Sequence, residues 1–228
     1  MNADATLESS RARMLTLLRA RIHDRRVIEA MAFVRRERFV PPDLRSRAYD
    51  DAALPIDEGQ TISQPLIVAM MLEALALSPS DRVLEVGTGS GYEAAVLSHL
   101  ALEITTVERL SSLRHHALSV LVELGLANVR VYPAADELGL RDRAPYDAVV
   151  VSAGAPHVPR ALIDQLAEGG RLVLPVGDLR AQELLRVVRT ARGIELTRLG
   201  PCAFVPLVGP AAWSEAAVSD AVIRPNVR

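Results

Sequence analysis

The feature that most constrains this chain is a regular alternation of short apolar strands and helical segments. Strand-like apolar stretches lie at 83–86, 104–108, 129–132 and 147–151, and helical spacing of apolar residues separates the first three. Strands joined through helices form a parallel sheet that is covered on both faces. The sequence therefore predicts an α/β fold with a doubly wound, mostly parallel sheet of the Rossmann-like type.

The remaining predicted elements complete the chain around this sheet. The predicted helices are two within 7–39 and one each at 65–76, 91–100, 111–124 and 158–167. A further strand at 171–177 precedes a C-terminal antiparallel hairpin formed by 183–190 and 193–200. We divide the chain into N-terminal helices with an ordered loop (1–65), an α/β domain (66–213) and a frayed tail (214–228).

Composition excludes several classes of protein. Half of the 228 residues are hydrophobic and the formal net charge is −2, which excludes a disordered chain and argues against binding to nucleic acid or lipid by bulk charge. The dense arginines at 11–47 are predicted to form a solvated helical surface rather than a phosphate-binding face. A single cysteine and no metal-type histidine spacing indicate a cytoplasmic protein without disulfides or metal.

A glycine-rich turn follows the first predicted strand of the sheet. The sequence there is VLEVGTGSG, with Glu85 ending the strand and Gly87, Gly89 and Gly91 at alternate positions around Thr88. Glycines let a backbone approach a ligand closely, and the helix that follows offers free N–H groups. The pattern resembles the nucleoside-binding loop of S-adenosylmethionine-dependent methyltransferases. A tight turn that needs glycine only for packing is the alternative.

An acidic residue ends the next predicted strand. Glu108 lies 21 residues beyond Gly87, and the carboxyl ends of neighbouring parallel strands meet at one crevice. Its carboxylate is therefore predicted to accept hydrogen bonds from the ribose hydroxyls of a bound nucleoside. The alternative is a surface ion pair with Arg109 or Arg114.

A second motif precedes the α/β domain and is more specific than the glycine turn. The segments AYDD at 48–51, LPI at 54–56 and GQTISQP at 59–65 resemble one family, the protein-L-isoaspartate O-methyltransferases. The similarity continues through EVGTGSGY at 85–92, TVER at 106–109, APYDAVVV at 144–151, GGRLVLPVG at 169–177 and FVPL at 204–207. It spans residues 11–213.

The resemblance implies an activity and a set of site residues. Such enzymes move a methyl group from S-adenosylmethionine to the free carboxylate of isoaspartyl residues in damaged proteins, leaving S-adenosylhomocysteine. The resemblance places Ser63 at the substrate carboxylate and Ile62 beside the sulfonium, with Thr61 in the same substrate-side turn. It also implies a substrate-binding wall of Phe204, Val205, Pro206 and Leu207. A monomer acting on isoaspartyl peptides is expected.

This chemistry needs little acid–base machinery. A carboxylate with an ordinary pKa of about 4 is already ionised near neutral pH, so it attacks the methyl group without a general base. Anion and sulfonium neutralise each other in the transition state, so strong charge stabilisation of the reactants would slow the reaction. In-line positioning and exclusion of water remain as the protein's contribution, and a neutral serine hydroxyl suits that role.

The sequence departs from the family pattern at three places. The family carries Gly-Asp-Gly after the third strand, where its aspartate contacts the adenine amino group, and this chain has Ala134-Ala135-Asp136. Ala135 stands at the aspartate position, and Asp136 could replace that carboxylate only from the neighbouring position. Asp57 and Glu93 stand where glycine and glutamine are usual.

The departure at Ala135 leaves a rival interpretation open. A relative with weakened cofactor binding could act as a binding module, or could methylate an aspartate of a dedicated partner peptide. A nucleic-acid methyltransferase is less compatible, because 151–156 reads VSAGAP instead of the Asn/Asp-Pro-Pro-aromatic motif of amino-group enzymes.

Overall fold

The computed structural model describes residues 3–223. Its helices are α1 (Ala3–Arg19), α2 (Arg25–Phe33), α3 (Pro65–Leu75), α4 (Tyr92–Leu97), α5 (Ser111–Glu123), α6 (Arg160–Ile163) and α7 (Glu215–Ile223). Its strands are β1 (Leu54–Pro55), β2 (Thr61–Ile62), β3 (Arg82–Val86), β4 (Glu103–Glu108), β5 (Val129–Pro133), β6 (Tyr146–Val151), β7 (Leu166–Gly177), β8 (Gln182–Thr190) and β9 (Gly193–Cys202).

The main sheet has the order β5-β4-β3-β6-β7-β8-β9. Strands β3 to β7 pair in parallel, and β8 and β9 add an antiparallel hairpin at one edge. The chain moves outward from β3 to β5 and then returns to β6 on the other side of β3. The expected doubly wound sheet with its C-terminal hairpin is confirmed, and its topological switch point lies between β3 and β6.

Successive residues of the central strands belong to two separate apolar cores. On β3, Val83 packs into one core and Leu84 into the other, and on β6 Val150 and Val149 do the same. This alternation follows from the two-residue period of side chains along a strand. The first core also contains apolar side chains from α1, α2 and α3, so the N-terminal helices pack against the sheet through α3.

The helix predicted at 158–167 is shorter in the structure. It is limited to α6, because β7 already begins at Leu166 and pairs there with Tyr146. The register shifts before Arg171, and Gly169 has a φ of 76° within this irregular stretch. The sequence Gly169-Gly170 disfavours a helix that would continue to this point.

The prediction of a frayed tail is wrong for most of the C-terminal segment. Residues Glu215–Ile223 form α7, and the Oγ of Ser214 accepts a hydrogen bond from the backbone N–H of Ala217 (3.2 Å). A serine cap before an alanine-rich stretch favours a helix. The remaining part of the predicted tail, 224–228, lies outside the described residues.

The loop predicted at 48–65 is ordered and contains a small hairpin. Strands β1 and β2 pair in antiparallel fashion, with Leu54 opposite Ile62. The carboxylate of Asp51 anchors the end of the loop, because it accepts hydrogen bonds from the Gln64 side chain (2.8 Å) and the Leu66 backbone (3.0 Å). The start of α3 therefore fixes the position of the segment that contains Ser63.

Candidate functional site

A crevice of about 1000 Å³, including its open mouth, lies at the carboxyl ends of β3, β4 and β6. This is the edge of the sheet at which the switch point predicts a ligand site. The crevice is bounded on one side by the turn at 60–63 and on another by the segment at 205–208. Loops that are far apart in sequence thus enclose a single space.

Most of the site residues predicted from sequence line this crevice. They are Thr61, Ile62, Ser63, Glu85, Gly87, Thr88, Gly89, Glu108, Ala135, Val205, Pro206 and Leu207. They come from the loop before α3, the ends of β3 and β4, the segment after β5 and the segment after β9. The structure therefore brings the predicted nucleoside side and the predicted substrate side together, while their individual roles remain predictions.

Three predicted site residues lie outside the lining. Gly91 faces α5, where an added Cβ would come within 3.2 Å of the Ala117 Cβ, so its glycine is needed for packing. Asp136 is exposed and lies beside the lining residue Ala135. Phe204 packs against the apolar core, and its backbone N–H donates to the Gln182 side chain (2.8 Å).

The glycine turn is held against the neighbouring strand. The backbone N–H groups of Gly87 and Thr88 donate to the carbonyl of Val107 on β4, at 3.0 and 3.3 Å. Gly87 has a φ of 96°, which a residue with a side chain adopts only with strain. This turn brings the backbone at the end of β3 to the crevice without a side chain in the way.

The carboxylate of Glu108 is fixed by two backbone donors. Oε2 accepts from the N–H of Gly89 and Oε1 from the N–H of Leu110, each at 2.9 Å. Arg109, the suggested ion-pair partner, instead contacts Glu215 (3.1 Å). Each carboxylate oxygen keeps a second lone pair, so a buried and oriented Glu108 can still accept hydroxyl donors from the crevice.

Two further carboxylates form part of the crevice floor. Glu85 is the residue before the end of β3, and its Oε2 accepts from Thr106 Oγ1 (2.5 Å), which in turn accepts from Thr88 (2.6 Å). Glu93, in the first turn of α4, accepts from the Ser152 hydroxyl. Burial raises the pKa of Glu93 to about 7. Burial, and secondarily repulsion from Glu93, raises the pKa of Glu85 well above its ordinary value.

Arg36 holds the turn that contains Ser63, and the sequence did not predict this. Its guanidinium is buried and donates to the carbonyls of Ala48 (2.7 Å) and Ser63 (2.8 Å). It also lies over the ring of Tyr92, 4.8 Å from the centroid. Arg36 is therefore a buried exception to the expected solvated surface, on which most of the other arginines of 11–47 are exposed. In a stretch with many arginines, no local signal separates it from its exposed neighbours.

Glu137 is a second residue that sequence reasoning did not select. It lines the crevice near Ala135, and its carboxylate pairs with Arg141: the Nε–H is shared between both oxygens (2.9 and 3.0 Å), and Nη2 donates to Oε1 (2.5 Å). The segment after β5 thus brings an acidic residue to the lining, although Ala135 itself lacks a carboxylate.

Among the described residues, no cluster of histidine, cysteine and acidic side chains could hold a metal ion. None of the helices within 3–223 is both long enough and apolar enough to cross a membrane.

The class of protein follows from three features: the doubly wound sheet, the glycine turn after β3, and Glu108 at the end of β4. Together they are typical of Rossmann-like, nucleoside-binding methyltransferases. The sequence profile described as Protein-L-isoaspartate(D-aspartate) O-methyltransferase (PCMT) matches residues 9–212. The chain therefore belongs to the protein-L-isoaspartate O-methyltransferase family.

Individual relatives support this assignment. The chain is 52% identical over 207 residues to a protein-L-isoaspartate O-methyltransferase of Roseiflexus sp. strain RS-1, covering 90% of this chain and 95% of the relative. It is 49% identical over 206 residues to protein-L-isoaspartate O-methyltransferase 1 of Rhodopseudomonas palustris strain HaA2, covering 90% of this chain and 84% of the relative.

Solved structures show the same architecture. A protein-L-isoaspartate O-methyltransferase structure superposes with a TM-score of 0.78 at 27% identity, covering 89% of this chain and 67% of that chain. A structure described as a beta-aspartate methyltransferase (PCMT) from Plasmodium falciparum, in complex with S-adenosyl-L-homocysteine, gives a TM-score of 0.73 at 26% identity, covering 90% and 97%. The expected family and the expected class of S-adenosylmethionine-dependent methyltransferase are confirmed, and the binding-module alternative is not favoured.

Proposed function

We propose that this crevice transfers a methyl group from S-adenosylmethionine to the free carboxylate of L-isoaspartyl residues in proteins. The observation that carries the proposal is the convergence of Glu108, the glycine turn and the 61–63 turn on one space. The first two form a nucleoside site, and the third places a hydroxyl and an apolar side chain at the same crevice. The neighbouring backbone nitrogen then attacks the methyl ester and displaces methanol to form a succinimide, and hydrolysis of the succinimide gives normal aspartate in part.

The residues present fit the cofactor. Glu108 keeps free lone pairs for ribose hydroxyls, and the glycine turn leaves room for close backbone approach. Glu85 and Glu93 line the same crevice, so their carboxylates act on the charge of a cofactor bound there. When bound, S-adenosylmethionine supplies a methyl group activated by a positively charged sulfur.

The 61–63 turn acts on the substrate side. The Ser63 hydroxyl donates to the isoaspartyl carboxylate and orients it, and no residue has to remove a proton because the acceptor is already ionised. The buried side chain of Ile62 keeps water from the reacting atoms. Positioning and water exclusion of this kind supply up to about 7–11 kcal/mol of the barrier reduction.

The segment 205–207 forms the opposite wall. Gly154 N–H donates to the Val205 carbonyl and Leu207 N–H donates to the Gly154 carbonyl, both at 2.8 Å, so this wall is joined to the segment after β6. A wall that is fixed in this way can support the backbone of a peptide. Phe204 takes part through the position of its backbone rather than as a lining side chain.

The finer assignments belong to the same proposal. The protein acts as a monomer in the cytoplasm without binding nucleic acid, in keeping with its net charge of −2 and single cysteine. The 1–65 segment supplies the substrate-side turn, 66–213 supplies the cofactor site, and 214–228 follows it.

The test compares two peptides that differ only in one linkage. The purified chain is incubated with methyl-labelled S-adenosylmethionine and either an isoaspartyl peptide or the same peptide with normal aspartate. We expect base-labile label in the isoaspartyl peptide alone. Equal labelling of both peptides would indicate an aspartate methyltransferase, and binding of the cofactor with no labelling would indicate a binding module; either result would overturn the proposal.

A further inference from the structure

Two buried carboxylates are among the residues that line the crevice. Glu85 is fully buried on β3, and Glu93 is 6% exposed in the first turn of α4. Both line the crevice. The sequence resemblance predicts glutamine at the position of Glu93, so this chain carries an ionisable group where that resemblance predicts a neutral amide.

Each of the two carboxylates is only half satisfied. Oε2 of Glu85 accepts from Thr106, and Oε2 of Glu93 accepts from Ser152, whereas Oε1 of each is buried without a hydrogen-bond partner. Both of these oxygens are fully buried, so they do not face the open crevice. The two side chains nevertheless line the crevice, and the charge that they carry acts on a ligand bound there.

The methyl donor and its product differ in charge. S-adenosylmethionine has a positive charge on sulfur, and S-adenosylhomocysteine has a neutral sulfur in the same place. A negative charge in the crevice floor therefore attracts the donor more than the product, and the low local dielectric strengthens this difference.

We propose that Glu93 makes the crevice discriminate between the cationic methyl donor and its neutral-sulfur product, and that this discrimination increases with pH. The inference rests on the proposed function, because it concerns the same crevice and the same cofactor. In this role Glu93 is a specificity-determining residue that reduces inhibition by the product. Its charge stabilises the cationic reactant, so it does not accelerate the methyl transfer itself.

The pH dependence follows from the surroundings of Glu93. The ionisable groups that face it or its direct neighbours are Glu85 on β3, Glu108 at the end of β4, Tyr92 on α4, Arg36 over the Tyr92 ring and Arg11 on α1. Burial raises the pKa of Tyr92, which therefore stays neutral, and Arg36 stays positive. Repulsion between Glu85 and Glu93 prevents both from ionising together at low pH.

As pH rises, the pair gains its second negative charge. Burial places the pKa of Glu93 at about 7, so the change occurs within the range in which binding can be measured. With glutamine at position 93, Glu85 alone carries charge, and the second ionisation is lost. The signature of Glu93 is therefore the pH dependence of the discrimination rather than its value at one pH.

The experiment is isothermal titration calorimetry with S-adenosylmethionine and with S-adenosylhomocysteine from about pH 6 to about pH 8.5. For the unmodified chain, the ratio of product Kd to donor Kd should rise about fivefold or more across this range. For Glu93→Gln the ratio should change less than about twofold. Because both proteins meet the same ligands, titration of the ligands themselves cancels in the comparison.

Two further variants keep the test decisive. Glu168→Gln removes a carboxylate from the exposed surface and should keep the full rise. Ser152→Ala retains Glu93 but removes the hydroxyl that favours its ionised form, so the rise in the Kd ratio should move to higher pH. This variant tests the inference even if Glu93→Gln folds poorly.

The possible failures are distinguishable. A flat ratio in the unmodified chain, or the same rise in Glu93→Gln, would overturn the inference while leaving the proposed function intact. Failure of the unmodified chain to bind either ligand would overturn the proposed function and this inference with it.

Discussion

Arg36 Nη2 donates a 2.8 Å hydrogen bond to the backbone carbonyl of Ser63. This bond joins the segment after α2 to the turn that is proposed to orient the substrate. The Arg36 Nε–Ala48 carbonyl bond (2.7 Å) fixes the beginning of the same loop. The buried guanidinium of Arg36 and the carboxylate of Asp51 therefore hold the loop at 48–65 together.

Replacement of Arg36 by methionine should lower both stability and turnover. The change leaves two carbonyl oxygens without this donor, and each lost partner costs about 1–3 kcal/mol, so the free energy of unfolding should fall by about 2–4 kcal/mol. Urea unfolding measures this. Arg38→Met is the matched control, because the Arg38–Glu123 ion pair is solvent-exposed and should contribute less than about 1 kcal/mol. Equal stability of the two variants would contradict the role of Arg36.

Ser63→Ala should impair methyl transfer without impairing cofactor binding. The hydroxyl is proposed to orient the acceptor carboxylate, and loss of one positioning donor lowers kcat about 10- to 100-fold or more. The affinity for S-adenosylhomocysteine should change less than about twofold, since the glycine turn and Glu108 are untouched. Steady-state kinetics with an isoaspartyl peptide and calorimetry measure the two effects, and full turnover by the variant would refute the assignment.

Ala135→Asp should tighten the binding of S-adenosylmethionine. Ala135 lines the crevice at the position where the sequence resemblance predicts an aspartate, and a charge-assisted hydrogen bond contributes about 1.5–3 kcal/mol, or one to two decades in Kd. Asp136→Ala is the control: Asp136 lies outside the lining, so its removal should leave Kd unchanged. Calorimetry that shows equal or weaker binding by Ala135→Asp would count against the assignment.

Glu93→Gln should change how stability depends on pH. The folded-state pKa of Glu93 is about 7, above its ordinary value of 4.5, so its contribution is fully present below pH 4.5 and is lost as pH rises through 7. Between pH 4.5 and pH 7 the free energy of unfolding of the unmodified chain should therefore fall by about 1–3 kcal/mol relative to that of the variant.

Urea unfolding at a series of pH values provides the measurement. The two proteins should differ little near pH 4.5, and the variant should be more stable above pH 7. A variant that is destabilised equally at every pH would show that Glu93 is ionised throughout.

The sheet could be predicted from sequence because its strands are apolar on both faces. The runs at 83–86 and 147–151 are buried on both faces of the sheet, and most of their residues are therefore apolar. Prediction of the helix at 158–167 failed because Gly169-Gly170 and the pairing of β7 decide where that helix ends. The helix α7 was missed because its cap and alanine content give a weaker signal than an apolar stripe.

The site was predictable where a motif is continuous in sequence. The glycine turn, Glu108 and the 61–63 turn each stand next to a recognisable element. Arg36 and Glu137 could not be selected in this way, because their importance depends on neighbours 27 residues or more away or on the path of an irregular loop. Long-range hydrogen bonds to backbone carbonyls leave no pattern of residue types.

The most direct test of the central claim is a crystal structure with S-adenosylhomocysteine and an isoaspartyl peptide bound together. The account predicts ribose hydroxyls on Glu108, the sulfur beside Ile62, and the isoaspartyl carboxylate on the Ser63 hydroxyl, with one carboxylate oxygen directed at the sulfur. A nucleoside bound away from Glu108, or a peptide carboxylate held outside the 61–63 turn, would contradict it.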